Sequence, residues 1–305
     1  MSDAATTGAR THRATPAPDS AGGETFDPVI DRVIVALDGS AFARRAAPVG
    51  ARIASRFGVG LEYVTAVGWE PDREAPRRDL QGRIEAGELP DGGVHVAVGP
   101  DAADAINDHA RRTQALVVLS SHGRGRVTTT LLGSVADRVI RTRGAPVVVV
   151  GRAADVDQWP GLTRLTVCLD GSPLSEEILD AVTPWTRGGD VPVDLVQVLS
   201  PDAPIEIARH VGAVPGDVHE SNYLARVAAR LHPKSAPVEW EVLYDREPAA
   251  ALSRYAADDP GRLLALATHG RTGLSRLAAG SVAARLIAES PVPLLLYRPP
   301  GIERG

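Results

Sequence analysis

What most constrains this chain is that one stretch of it is written twice. Residues 115–152 read ALVVLSSHGRGRVTTTLLGSVADRVIRTRGAPVVVVGR, and residues 263–298 read LLALATHGRTGLSRLAAGSVAARLIAESPVPLLLYR. His122, Gly123, Gly133, Ser134, Val135 and Ile140 recur unchanged 147 positions on as His269, Gly270, Gly280, Ser281, Val282 and Ile287; Val139 recurs as the apolar Leu286. One offset held across so many positions makes the chain a tandem repeat. Within the first copy, residues 116–119 form a short apolar, β-branched run, the pattern of a buried strand. Glycines and small residues follow, then Gly133-Ser134, with Val135, Val139 and Ile140 at helical spacing. Ala145-Pro146 introduces a second apolar run at 147–150. Strand, glycine loop, helix, strand is a βαβ unit whose loop leads into a helix N-terminus.

Upstream of each copy the pattern is also shared. A strand over residues 33–37 ends in Asp38-Gly39-Ser40, and one over 165–169 ends in Asp170-Gly171-Ser172. That offset is 132 rather than 147, so the second copy is 15 residues longer between its first strand and its glycine loop. Ser40 reads as the N-cap of an Ala-rich helix, in which Pro48 marks a kink or the effective start. Further strands are expected at 61–67 and 94–98, and at 191–199 and 238–244. Helices are expected weakly at 79–86, then from 101 to 111 or 112, at 223–231, and from Pro248 to about residue 257. Strands alternating with helices define the fold class: α/β, two tandem doubly wound domains, each a mostly parallel five-stranded sheet with helices on both faces. The expected boundaries are a disordered tail at 1–28, domains at 29–152 and 163–298, a linker at 153–162 and a short tail at 299–305.

Two cores need apolar material, and 44% of the 305 residues are hydrophobic while only 4% are aromatic, so the cores must be aliphatic. A net charge of −5 gives no footprint for nucleic acid or an anionic membrane. The single cysteine, Cys168, lies in an apolar run and reads as a small buried hydrophobe. Neither a transmembrane run nor a signal-peptide core is visible, so a cytoplasmic protein is expected.

Right-handed crossovers place every strand-to-helix loop at one edge of a parallel sheet, where ligands of such folds sit. Asp38 and the 120–125 loop share that edge in the first copy, as do Asp170 and the 267–273 loop in the second. Glycines let backbone N–H groups approach an anion, and a helix N-terminus adds a positive dipole, so phosphate fits here. Asp38 and Asp170 then offer acceptors to the organic part of a nucleotide. Either element also has a plainer reading: Asp-Gly-Ser as a turn with an N-cap, and the glycines as steric concessions. Their paired recurrence favours the site. His122 and His269 stand in no ligand cluster and read as loop-packing residues; Arg124 and Arg271 fit a phosphate contact or a solvated surface equally well.

These residues resemble the universal stress protein family. Its loop runs Gly, two residues, Gly, nine residues, Gly, then Ser or Thr, and its first strand ends in Asp. Gly123 with Gly133-Ser134-Val135 fits, as does Gly270 with Gly280-Ser281-Val282. The resemblance covers residues 31–152 and 163–298 and implies ATP, with Mg²⁺ alongside its phosphates. It places Asp38 and Asp170 at the adenosine, and Ala36, Cys168, Leu119, Ser120, Leu266 and Ala267 around the base. Gly123, Gly133, Ser134 and Val135, and their counterparts Gly270, Gly280, Ser281 and Val282, fall to the phosphates. One departure stands out: the family's first loop glycine is Ser120 in one copy and Ala267 in the other, each adding a Cβ where a ligand comes close. Arg126 stands where the second copy has Gly273, so unequal sites are expected. The implied function is an ATP-binding stress-response regulator with a protein partner still to be identified. A nucleotide-independent interaction scaffold is the alternative, and slow ATP hydrolysis a third reading. Without a GxxxxGK[ST] run there is no P-loop lysine, so no enzyme is expected. The closing strands 147–150 and 293–297 are apolar, open-edged and similar to those that mediate dimers in the family. They predict an intrachain pseudo-dimer of the two domains, with homodimerisation beyond it.

Overall fold

A computed structural model of the chain describes residues 10–13, 30–122, 132–186, 191–201, 220–231, 238–268 and 280–299. After a short strand β1 (Arg10–Arg13), the first half runs β2 (Arg32–Ala36), α1 (Ala41–Arg44), α2 (Ala46–Phe57), β3 (Gly60–Val67), α3 (Glu74–Glu85), β4 (Gly93–Val98), α4 (Ala102–Arg112), β5 (Ala115–Ser120), α5 (Ser134–Arg143) and β6 (Val147–Val150). The second half runs β7 (Arg164–Leu169), α6 (Pro173–Glu176), α7 (Ile178–Thr186), β8 (Val193–Leu199), α8 (Glu220–Arg230), β9 (Val238–Tyr244), α9 (Pro248–Ala257), β10 (Arg262–Ala267), α10 (Ser281–Glu289) and β11 (Leu294–Tyr297).

Each half is a five-stranded parallel sheet, ordered β4-β3-β2-β5-β6 and β9-β8-β7-β10-β11. Strand order reverses between β2 and β5 and between β7 and β10, so each half has its switch point beside the Asp-Gly-Ser turn. The halves join where β6 pairs antiparallel with β11, Val149 opposite Leu294 and Val147 opposite Leu296. The strands expected at open edges thus close on each other, and the intrachain pairing is present. Alternation sorts the seam onto two cores. Val148, Val150 and Leu295 face one, Val147, Val149, Leu294 and Leu296 the other, and both cores span the two halves.

Pro48 is the third residue of α2, where an N–H has no helical partner to lose, so the proline marks the effective start. A break at Arg45 separates α1 from α2. Two expectations are corrected. First, α3 begins five residues before the expected 79. It buries only Leu80, so it carries almost none of the apolar periodicity by which a helix is read.

The segment between the two domains is packed. Trp159 is fully buried and its indole N–H donates to Arg262 O at 3.0 Å. Arg45 donates to the carbonyls of Gly151, Arg152 and Ala154, and Arg52 to that of Val156. Second, the N-terminal tail includes β1, which pairs antiparallel with β9, Arg13 opposite Glu239. An open sheet edge pairs through backbone groups alone, so a segment with nothing apolar to bury can still add a strand.

Candidate functional site

The first site element is the turn after the first strand of each half. Gly39 and Gly171 adopt φ of 82° and 83°, the left-handed region that a Cβ disfavours. The turn is closed by the aspartate itself, Oδ1 of Asp38 accepting from Ser40 N at 2.9 Å and Oδ1 of Asp170 from Ser172 N at 2.9 Å. Ser40 Oγ then accepts from Ala43 N at 3.0 Å and Ser172 Oγ from Ser175 N at 3.1 Å, the N-caps of α1 and α6. Asp-Gly-Ser is therefore a turn and cap in both copies, and both aspartates remain half-buried at the carboxyl end of their strands.

The second element is the N-terminus of α5 and of α10. Gly133 N–H donates to Ser121 O at 2.7 Å, and Gly280 N–H donates to Thr268 O. Ser121 N and Thr268 N in turn donate to Val150 O and Tyr297 O, the last residues of the neighbouring strands, at 2.9 and 2.8 Å. Each helix start is thus tied back to the end of β5 or β10. This revises which N–H groups face the edge. Those of Gly133 and Gly280 are committed, and a glycine cap has no side chain to offer. The first-turn N–H groups of Ser134 and Val135, and of Ser281 and Val282, are the donors left to an acceptor outside the helix. Gly123 and Gly270, with Arg124, Arg126, His269, Arg271 and Gly273, lie outside the described residues.

Adjacency at the switch point brings Ala36, Asp38, Leu119, Ser120, Gly133, Ser134 and Val135 to one edge. The same topology brings Cys168, Asp170, Leu266, Ala267, Gly280, Ser281 and Val282 to the equivalent edge. Leu119, Leu266 and Cys168 are core side chains, so what they present to the edge is backbone. Burial pushes the Cys168 thiol up to about 12, which leaves it an unreactive hydrophobe as expected. The halves meet antiparallel, so their two carboxyl edges point in opposite directions and each site is built from one half alone.

Three contacts at the first site were not legible from the sequence. Ser120 Oγ donates to Phe42 O at 3.0 Å, stitching α1 onto β5 where the family pattern has glycine. His122 packs edge-on against Phe42, ring centroids 6.0 Å apart, with Nδ1 3.1 Å from Ser121 Oγ. Arg45 lies 5.1 Å from the Phe42 ring centre. Ser120 and His122 lie 78 and 80 residues from Phe42, and no local pattern links them to it.

Fold and site together define a duplicated, doubly wound α/β chain with an anion-competent helix N-terminus at each switch point. The profile described as Universal stress protein family matches residues 30–151 and 161–298. The chain belongs to the universal stress protein family. A universal stress protein of Mycobacterium tuberculosis is 31% identical over 189 residues, covering 60% of this chain and 61% of its own. One of Mycolicibacterium smegmatis is 35% identical over 212 residues, covering 62% and 64%. These matches span less than two thirds of those relatives' length. A universal stress protein from Archaeoglobus fulgidus shares the fold, with a TM-score of 0.53 at 14% identity over 88% of this chain and 98% of its own. Among the described residues no helix is long and apolar enough to cross a membrane.

Proposed function

We propose that the carboxyl edge of one or both halves binds an adenine nucleotide, ATP being the ligand the family resemblance implies. The chain then acts as a cytoplasmic stress-response regulator whose conformation or partner binding follows nucleotide. The observation that carries this reading is the duplicated juxtaposition of an Asp-Gly-Ser turn with a glycine-started helix N-terminus at a switch point. Asp137, in the first turn of α5, is paired with Arg141, and the first turn of α10 has no acidic residue. Mg²⁺ arriving with ATP would therefore be held by phosphates and water. Hydrolysis forms no part of the proposal; steady ATP turnover lost in His122→Ala would overturn that exclusion.

The test is mass spectrometry of nucleotide released from freshly purified protein, followed by equilibrium dialysis with labelled ATP. Asp38→Asn and Asp170→Asn retain the turn acceptor while removing the charge, so they separate binding from folding. Bound ATP that weakens about tenfold in one variant, the scale of a lost hydrogen bond to a charged group, identifies the working edge. An empty protein that ignores added ATP overturns the reading. That result would favour a nucleotide-independent scaffold, which the Ser120 stitch between β5 and α1 supports. The seam strands are consumed within the chain, so association of two chains must use another surface; light scattering reads it.

A further inference from the structure

At the amino ends of the strands, away from the nucleotide edge, each half buries a carboxylate inside its sheet. Register makes the two places comparable. Ile34 faces Glu62 as Thr166 faces Asp194, and Val64 faces His95 as Val196 faces Glu241. Arg32 faces Ala115 as Arg164 faces Arg262. His109 and Tyr255 both stand eight residues after the N-cap of the following helix, Asp101 in α4 and Glu247 in α9.

In the second half the buried carboxylate of Asp194 is neutralised by guanidinium groups. Arg164 and Arg262 both bind it, and Arg262 also donates to Thr166 Oγ1 at 2.9 Å and lies over the Tyr255 ring at 4.3 Å. Tyr255 donates to Asp194 Oδ2 at 3.3 Å. In the first half Arg32 reaches Glu62 Oε1 at 3.2 Å, as Arg164 reaches Asp194. The second cation is missing there, because Ala115 stands at the position of Arg262. In its stead two imidazoles converge on the carboxylate. His109 Nε2 lies 2.7 Å from Glu62 Oε2, and the His95 ring stacks on that of His109 at 3.7 Å and 6°. A carboxylate of this kind only accepts, so His109 donates its Nε2–H.

We propose that Glu62, His95 and His109 bind a divalent transition-metal ion of the zinc class, in the place that the Arg262 guanidinium fills in the second half. One ligand atom from each residue lies within 4.8 Å of the others. Two imidazoles and a carboxylate are a donor set for Zn²⁺, Co²⁺ or Ni²⁺, and they leave a fourth position for water. Tetrahedral bonds of about 2.0–2.2 Å place ligand atoms roughly 3.4 Å apart, so the 2.7 Å pair of His109 Nε2 and Glu62 Oε2 opens slightly while His95 turns out of its stack to aim at the ion, a rotamer adjustment. On binding, His109 coordinates through Nε2 as neutral imidazole with its ring proton on Nδ1, and only a doubly protonated ring releases a proton to solvent. Glu62 and His109 are nearly buried, while His95 on the edge strand β4 is half-exposed and gives the ion its way in. Arg73 and Arg112, whose charges act against protonation of His95, also act against the ion, so a moderate affinity is expected.

The experiment is calorimetric titration of the chelator-stripped full chain with Zn²⁺, together with Co²⁺ absorption spectra. One ion per chain is expected, with intense visible cobalt bands. His95→Asn and His109→Asn should each weaken binding at least about tenfold. Ala115→Arg, which installs the second half's guanidinium beside Glu62, should abolish binding while leaving the melting temperature in chelator unchanged or higher. That variant separates loss of the site from loss of the fold. No zinc uptake by the native chain, or uptake unchanged in the histidine variants, would overturn the proposal. So would an Ala115→Arg protein that stays folded and still binds.

Discussion

At the scale of single residues, the aspartates of the two Asp-Gly-Ser turns serve the fold whatever ligand they meet, because one carboxylate oxygen of each closes its turn. Both turns were legible in the sequence because every group in them lies within six residues. The buried charges were not. Glu241, on β9, is the position equivalent to His95, and burial raises its carboxyl above the ordinary value despite a hydrogen bond from Tyr255. For a carboxyl raised in the folded state, the unfolded chain gives up its proton first as pH rises. Stability that is whole below about pH 4.5 is therefore lost as pH climbs through the folded value. Glu241→Gln removes that penalty, so the variant should melt roughly 1–3 °C higher at pH 7. The difference should close at pH 4, read by calorimetry across a pH series.

At the scale of elements, α5 and α10 show how a pattern can be visible while its hydrogen bonds are not. Glycine, serine and a helical apolar stripe announce each helix, but only the folded chain shows the cap N–H donating to Ser121 O or Thr268 O. The opposite case is α3, a surface helix with one buried side chain and so a faint periodicity. Gly151, just after β6, illustrates a constraint that crosses between halves. A Cβ there would collide with the main-chain carbonyl oxygen of Ile287 in α10, which cannot rotate away. Gly151→Ala should cost about 1–3 kcal/mol, the range for forced overpacking. Urea unfolding should show a lower midpoint with an unchanged slope.

At the scale of the whole molecule, the β6–β11 seam converts two parallel half-sheets into one sheet with two shared cores. Linker carbonyls held by Arg45 and Arg52, and the buried Trp159, reinforce that union. The native chain should therefore unfold in one cooperative transition. Leu295 is fully buried beside Val148 in the seam, so Leu295→Asp should cost roughly 3–5 kcal/mol by burying an unpaired charge. Urea unfolding of that variant, followed by tryptophan fluorescence, should split into two transitions, because the first half keeps its own sheet.

By itself the sequence determined the duplication, the α/β class, the strand alternation and the positions of both turns and both helix starts. These properties rest on periodicity, turn chemistry and spacing, all of which act over short distances along the chain. Only the tertiary structure decided that the linker is core, that Ser120 stitches α1 to β5, and that Ala115 leaves Glu62 to two histidines. Those outcomes depend on groups 33 to 109 residues apart whose approach is set by strand order and register. A pairwise contact of that kind leaves no local pattern to read, because burial and hydrogen bonding act through space rather than along the chain.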